Sequence, residues 1–386
     1  MEDVARTAKH EAFIGVFQAS QQSYGISYTN PFGNYTVVDF VPEDMLGSVN
    51  SHWYGFPPLN ELWYGILAFC IAAAGILATS GNFIVIYVFL STKSLRTPSN
   101  YFLINLAVSD FILMACMYPP VLVNSYYRTW ALGPFFCKVY GGLGILTATT
   151  SIFTMCFITH DRYSLIVKDI AGDSLSAAKA ALQILLIWIL SAAWTLAPFF
   201  GWGSYVPEGN MTVCGPNYLS IDLMNTSYMW AFISFTYFGT LIFITYCYWF
   251  IVVSTHNHEK MMREQAKKMG VSALRGDAQA RKKSSDCRIA RVTLTTISLW
   301  YIAWTPYVAI IIAGLTNRAL VTPLLATWSS IFAKAYTAYN PIVYAISHPK
   351  YKAALYQKLP CLRCSESSEP ECEPEGAPET VTDEKM

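Results

Sequence analysis

Ile331-Phe-Ala-Lys334-Ala-Tyr-Thr-Ala-Tyr-Asn340-Pro341-Ile-Val-Tyr344 lies inside an apolar stretch, residues 319–347, whose one charged side chain is Lys334. An ammonium in hydrocarbon costs roughly 3 kcal/mol or more. The cost has to be offset by a carboxylate partner, a water-filled path, or chemistry that removes the point charge. A lysine held dry also gives up its proton easily and attacks aldehydes, forming a Schiff base. Six residues on, Asn340-Pro341-Ile342-Val343-Tyr344 reads as a proline-interrupted helix end with two polar side chains.

The rest of the chain repeats the same apolar design. Of 386 residues, 54% are hydrophobic and 13% charged, against roughly 25% charged in soluble domains. Seven stretches reach the ~20 apolar residues that cross a bilayer: residues 62–90, 98–125, 134–163, 180–203, 224–254, 289–314 and 320–347. Lipid offers backbone groups no partner, so each must be a helix. The expected fold is an all-α membrane protein, a seven-transmembrane helix bundle spanning residues 62–347. The formal net charge of +1 gives no ground for a nucleic-acid partner. The one CxxC spacing, Cys361-Leu-Arg-Cys364, has no second pair or histidine cluster beside it, so no metal site is read.

Basic residues set the orientation. Lys260, Arg263, Lys267, Lys268, Arg281, Lys282, Lys283 and Arg288 crowd the loop between the fifth and sixth spans, and Lys350, Lys352 and Lys358 follow the seventh. Residues 1–61 are therefore expected outside the cell and the C-terminus in the cytoplasm. Asn34-Tyr-Thr36 is a glycosylation acceptor on the outer side; Asn210 and Asn225 also match the pattern. Residues 348–359 alternate basic and apolar at helical spacing, as in an amphipathic helix on the membrane lipid surface. Cys361 and Cys364 are palmitoylation candidates, with free thiols the plain alternative. Residues 360–386 form an acidic, Pro-rich tail, expected to be disordered, with Ser365, Ser367, Ser368, Thr380 and Thr382 open to phosphorylation.

Few residues inside the spans carry chemistry. Asp110 is the second deep charge; it is either a polar hub for water or sodium, or a neutral hydrogen-bonded carboxyl that fixes packing. Asp161-Arg162-Tyr163 closes the third span at the cytoplasmic boundary, where a local ion pair can be broken by a partner. Cys137 and Cys214 both face the oxidising side and are expected to pair. That bond would pull the second outer loop over the bundle mouth and carry Glu208 toward Lys334; a solvated loop acid is the alternative. Trp304-Thr-Pro306-Tyr307 puts rings beside a helix-kinking proline.

Asn82 after Gly81, Asp110, Asp161-Arg162-Tyr163, Trp188, Trp304-Thr-Pro306 and Asn340-Pro341-Ile342-Val343-Tyr344 together resemble rhodopsin-like G-protein-coupled receptors. Lys334 looks like the retinal-attachment lysine of opsins. His258-Glu-Lys-Met-Met-Arg-Glu-Gln-Ala-Lys-Lys-Met269 and Ile346-Ser-His-Pro-Lys-Tyr351 resemble the rhabdomeric visual opsins of arthropods. The resemblance implies a light receptor rather than an enzyme, in the rhabdomere membrane of a photoreceptor. It implies 11-cis-retinal on Lys334 as a protonated Schiff base, isomerised by light to the all-trans form in a bistable pigment. It implies a pocket of Tyr140, Trp304 and Tyr307, and a polar hub of Asn82 and Asp110. Coupling falls to Asp161, Arg162, Tyr163, Tyr246, Asn340, Pro341 and Tyr344, toward a Gq-type G protein and phospholipase C, with arrestin and a receptor kinase as further cytoplasmic partners.

In vertebrate visual opsins the counterion glutamate comes three residues after the first bridging cysteine; here that position is Tyr140, which moves the role to Glu208. Ultraviolet insect opsins carry a lysine where this chain has Tyr118, so visible absorption is expected. Three residues depart from the family pattern. His160 precedes Asp161 in place of an apolar residue. Thr240 replaces the proline of the fifth helix, predicting loss of its bulge. Tyr336 replaces a small residue and is expected to crowd the pocket. The rival readings are an opsin-family retinal photoisomerase with weak or no G-protein coupling, a chemical-ligand receptor with an incidental lysine, and a retinal pump or channel. The last lacks the carboxylates it needs between Lys138 and Asp161.

Overall fold

The computed structural model describes residues 35–167, 175–269 and 274–360. Asn34, Cys361, Cys364 and the acidic tail lie outside the described residues. Helices dominate: α1 (Glu61–Ser91), α2 (Pro98–Tyr127), α3 (Gly133–Ile166) and α4 (Ala177–Leu196) come first. Then α5 runs in three pieces, Leu223–Ile233, Ser234–Gly239 and Thr240–Met269, followed by α6 (Leu274–Thr316). The seventh, α7, is also in three pieces, Pro323–Ala335, Tyr336–Ala338 and Tyr339–Ser347, and α8 is Pro349–Lys358.

Polar side chains mark the starts. Asn60, Thr97, Ser176, Asp222 and Thr322 each accept a backbone N–H of the first turn they precede, which satisfies a donor the helix leaves open. Pro98, Pro323 and Pro349 stand at first helical positions, where a missing N–H costs nothing. Six of the described helices are long and apolar enough to cross a membrane unaided. The seventh, interrupted by a 3-10 turn at Tyr336–Ala338, is not among them: Lys334, Asn340 and its Ser, Thr and Tyr residues lower its hydropathy. Helices α5 and α6 run on beyond the apolar windows, to Met269 and from Leu274, in sequence rich in Lys, Glu, Gln, Ala and Met, which are good helix formers.

The bundle is organised around α3. Of its membrane-length window, 72% is buried, against 22% for α4 and 28% for α1. It touches α2, α4, α5, α6 and the outer hairpin. Its outward-facing end is covered by more than a loop: Val37, Val41, Met45 and Trp53 are buried, and a one-turn helix at Glu43–Leu46 packs on α3. At the other end α8 lies across α1 and α7, with Tyr351 stacked on Phe89 at 5.3 Å.

The loop between α4 and α5 forms an antiparallel hairpin, β1 (Tyr205–Glu208) against β2 (Val213–Pro216). Every residue of both strands is buried. A disulfide joins Cys214 in β2 to Cys137 in the first turns of α3, with Cα atoms 5.4 Å apart. The sequon at Asn210 falls in the hairpin turn and is fully buried, its Oδ1 accepting from the Thr212 and Thr327 hydroxyls; a glycan has no room there.

One expectation is overturned. The replacement of proline by Thr240 predicts an unbulged α5, yet residues Ser234–Gly239 form a π-helical turn. A proline makes such a bulge by lacking an N–H. Here the Thr240 hydroxyl reaches back to the carbonyls of Thr236 at 2.6 Å and Tyr237 at 3.1 Å. It also shares a hydrogen bond of 2.9 Å with the Tyr301 hydroxyl of α6. Side-chain donation into the preceding turn loosens the helical ladder in the same place.

Candidate functional site

Beneath the hairpin a small cavity lies between α2, α3, α6 and α7. Lys334, Ser330, Glu208, Gly215, Trp304 and Tyr307 are among its walls. A second small cavity shares Ile145, Pro216, Trp304 and Tyr307 as walls and lies among apolar residues of α3, α5 and α6. The two adjoin across these four residues, with the amine on the wall of the first.

Lys334 is half-buried, and its remaining surface is cavity wall. Its Nζ donates to Ser330 Oγ at 2.6 Å, one helical turn earlier. Glu208 is 2% exposed. The Tyr307 hydroxyl lies 3.2 and 3.1 Å from its two oxygens, and the Tyr218 hydroxyl, which has no other partner, faces it too. Burial pushes the Glu208 carboxyl above the usual range, while the Lys334 charge and the Tyr307, Tyr218 and Ser330 hydroxyls pull it back. Lys334 and Glu208 make no direct ion pair here; Ser330 stands within reach of both. The carboxylate can lie flat against β2 because Gly215 has no side chain: a Cβ there would sit 2.7 Å from Glu208 Oε1 and 3.0 Å from the Tyr307 hydroxyl.

Trp304 and Tyr307 line the cavity as expected from sequence, but Tyr140 does not. Its ring turns toward Trp130, 5.1 Å away, and its hydroxyl points at the Met117 carbonyl at 3.5 Å. Tyr118 packs over Gly75 of α1. Sequence reading missed Ser330, Tyr218 and Gly215. Ser330 was findable, since it sits four residues before Lys334 on the same helical face; the other two depend on how the hairpin folds.

Below the cavity is a polar hub. Asp110 is fully buried; Oδ1 accepts from Ser151 at 2.9 Å and Tyr336 at 2.8 Å, and Oδ2 from Asn340 at 2.5 Å. Asn82 Nδ2 donates to the Thr337 carbonyl at 2.9 Å, a group that the 3-10 turn leaves for it. Gly81 beside it lets α7 approach, because a Cβ would meet Pro341 at 2.9 Å. Tyr336 sends its hydroxyl to Asp110 and keeps its ring beside Trp304 of the cavity wall.

At the far end of α3, Arg162 Nη2 meets Asp161 Oδ2 at 2.5 Å, with only 7% and 12% of the two side chains exposed. Arg162 Nε is buried with no hydrogen-bond partner. His160 is exposed on the opposite side. Tyr163 packs edge-on against Phe250 at 6.2 Å. Tyr246, expected among the coupling residues, is 55% exposed on the outer face of α5. Tyr248 turns inward instead: it is 7% exposed, donates to the Ala290 carbonyl of α6 at 3.0 Å, and lies within electrostatic reach of Arg162.

A buried lysine and a buried carboxylate under a disulfide-held lid, a polar hub, and a closed arginine pair at the other end define a seven-helix receptor. Residues 81–344 match the 7 transmembrane receptor (rhodopsin family). The chain belongs to that family and is a multi-pass membrane protein. It is 51% identical to a rhodopsin of Procambarus clarkii over 91% of this chain and 93% of that one. It is 50% identical to the long-wavelength rhodopsin of Apis mellifera with the same coverage. The crystal structure of squid rhodopsin aligns with a TM-score of 0.79 at 35% identity, covering 85% of this chain and 94% of the squid chain. With arthropod rhodopsins as relatives at this level, the chain is a light-sensing G-protein-coupled receptor.

Proposed function

We propose that the chain carries retinal, 11-cis in the dark and all-trans after light, bound to Lys334 as a protonated Schiff base with Glu208 as counterion. The observation that supports this most is the convergence on one cavity of a held amine and a buried carboxylate among hydroxyl donors, with a second, largely apolar cavity adjoining it. These residues fit an apolar aldehyde, whose bound form would supply light-driven isomerisation. A positive group in so dry a site keeps its proton only beside a negative one.

The protein residues do the rest. Ser330 orients the Lys334 nitrogen. Tyr307 and Tyr218 hold Glu208 charged, and the hairpin keeps out bulk water. Trp304, on α6 two residues before the Pro306 kink, receives any change of shape in the cavity. Motion of α6 away from α3 frees Arg162 from Asp161 for a Gq-type G protein acting through phospholipase C. A counterion in the lid rather than on α3 supports a bistable pigment. Absorption in the visible follows from Tyr118 in place of a lysine and from kinship to a rhodopsin named as long-wavelength. The N-terminus lies outside with a glycan at Asn34. The C-terminal side, with its phosphorylatable tail, palmitoylated Cys361 and Cys364, arrestin and receptor kinase, lies on the cytoplasmic side of the rhabdomere membrane.

The test is an absorption spectrum of the purified protein regenerated with 11-cis-retinal, beside Lys334→Ala. The expected result is a dark band well to the red of free retinal, absent in the variant. A folded wild type without that band would remove the photopigment reading and favour a chemical-ligand receptor.

A further inference from the structure

Tyr336 stands where the family pattern has a small residue, and its long side chain reaches two places at once. It is 1% exposed. Its hydroxyl donates to Asp110 Oδ1 at 2.8 Å. Its ring lies 6.3 Å from those of both Trp300 and Trp304. Those two indoles stack on each other at 5.4 Å and 22°. The Trp300 Nε1–H is buried without a hydrogen-bond partner among the described residues, and the Tyr336 hydroxyl is the polar group near it. The tyrosine also begins the 3-10 turn two residues after Lys334, and Thr337 in that turn donates back to the Lys334 carbonyl at 2.9 Å.

The line from cavity to hub is therefore continuous: Lys334 and Trp304 in the cavity wall, Trp300 beneath, Tyr336 between α6 and α7, then Asp110 and Asn340. A small residue at 336 would leave Trp300 Nε1 and Asp110 Oδ1 without this shared group. We propose that Tyr336 is a positioning residue, a latch that ties the tryptophans under the cavity to Asp110 and holds the receptor in its resting arrangement. A push on Trp304 or a twist at Lys334 then acts on the hub by breaking this one hydrogen bond. The proposal rests on the photoreceptor reading for its trigger, though not for its contacts.

The experiment is light-minus-dark infrared difference spectroscopy on regenerated pigment, with G-protein activation measured in the dark. Tyr336→Phe is expected to remove the light-induced carboxyl and indole N–H signals and to leave the dark absorption maximum in place. Light-independent activation should rise about tenfold, the scale of one hydrogen bond to a carboxyl. Ser151→Ala takes a donor from the same Oδ1 without touching Trp300, so it should keep the indole signal; a merely structural role would make the two variants alike. An unchanged difference spectrum with unchanged dark activation in Tyr336→Phe overturns the latch. If the wild type takes up no retinal, the photoreceptor reading fails and the latch is judged on the apoprotein. There, Tyr336→Phe combined with Asp110→Asn, or with Trp300→Phe where the former does not fold, must shift the melting temperature non-additively. Additive losses overturn the latch as well.

Discussion

The outer and inner halves of the bundle are closed by different means. Outside, a hairpin with every residue buried is bonded to α3, Glu208 has several hydroxyl donors around it, and residues 35–60 add a second layer. Inside, the end of α3 carries a pair of adjacent side chains, Asp161 and Arg162, with Tyr248 of α5 beside it. Between them α5 and α7 lose regular helix, at Ser234–Gly239 and Tyr336–Ala338. The outer half is over-determined and suits a fixed pocket. The inner end turns on a breakable charge pair, which suits a segment that must open.

If that contrast is right, damage outside destroys the pocket and damage inside releases signalling. The largest effect after loss of Lys334 itself is expected from Cys137→Ser, which unties the lid. Loss of a disulfide costs about 2–4 kcal/mol, and thermal bleaching of the dark pigment should be correspondingly faster. A variant as heat-stable as wild type would mean that the hairpin is held by packing alone. Next comes Glu208→Gln. The Schiff-base cation loses its negative neighbour, so the visible band should disappear at a pH lower by about 1–3 units. The sign is fixed: removing a nearby anion makes the cationic form less favourable. A pH titration of the spectrum unmoved by the change would place the counterion elsewhere.

Inside, Asp161→Asn removes the charge from the closing pair. Pairs this little exposed are worth more than surface ones, and a hydrogen bond to a charged group contributes roughly 1.5–3 kcal/mol. Nucleotide exchange on the G protein in darkness should rise about tenfold, with the absorption spectrum unchanged. Dark activity equal to wild type would show that the pair does not hold the resting state.

The same contrast explains what could be read from the amino-acid order. The spans are legible because hydrocarbon imposes composition over some twenty residues at a time. Lys334, Cys137 and Cys214 were legible because each is a cost or a reactivity that its surroundings make conspicuous, whereas Glu208 stood out only through the family resemblance, with Tyr140 at the usual counterion position. The irregular segments were not. The break in α7 gives Asn82 a carbonyl, and the π turn of α5 is kept open by the Thr240 hydroxyl. Both are settled by single side-chain hydrogen bonds that leave no periodic trace. Residues 35–60 fold without helical or strand periodicity, around Trp53 and Met45. The contacts of Tyr140 and Tyr336 were not legible for a related reason: spacing says that a tyrosine faces inward, not which neighbour its hydroxyl chooses.

Tyr246 and Tyr248 offer the finest version of this test. The phase of α5 changes through the π turn, so counting from its outer half does not tell which tyrosine below points inward. The buried Tyr248 hydroxyl donates to Ala290 on α6, beside Arg162, whereas Tyr246 lies mostly on the outer face. Tyr248→Phe removes one neutral hydrogen bond between α5 and α6, about 1 kcal/mol. The expected result is a several-fold change in light-driven nucleotide exchange with an unaltered spectrum. Tyr246→Phe removes a hydroxyl from an exposed ring, and its effect should stay within about 0.5 kcal/mol. Measured side by side on regenerated pigment, an effect confined to Tyr246 would mean that α5 turns about its axis when the inner half opens, bringing the outer tyrosine to Arg162. An effect confined to Tyr248 would mean that the contacts of the closed state already mark the residues that move.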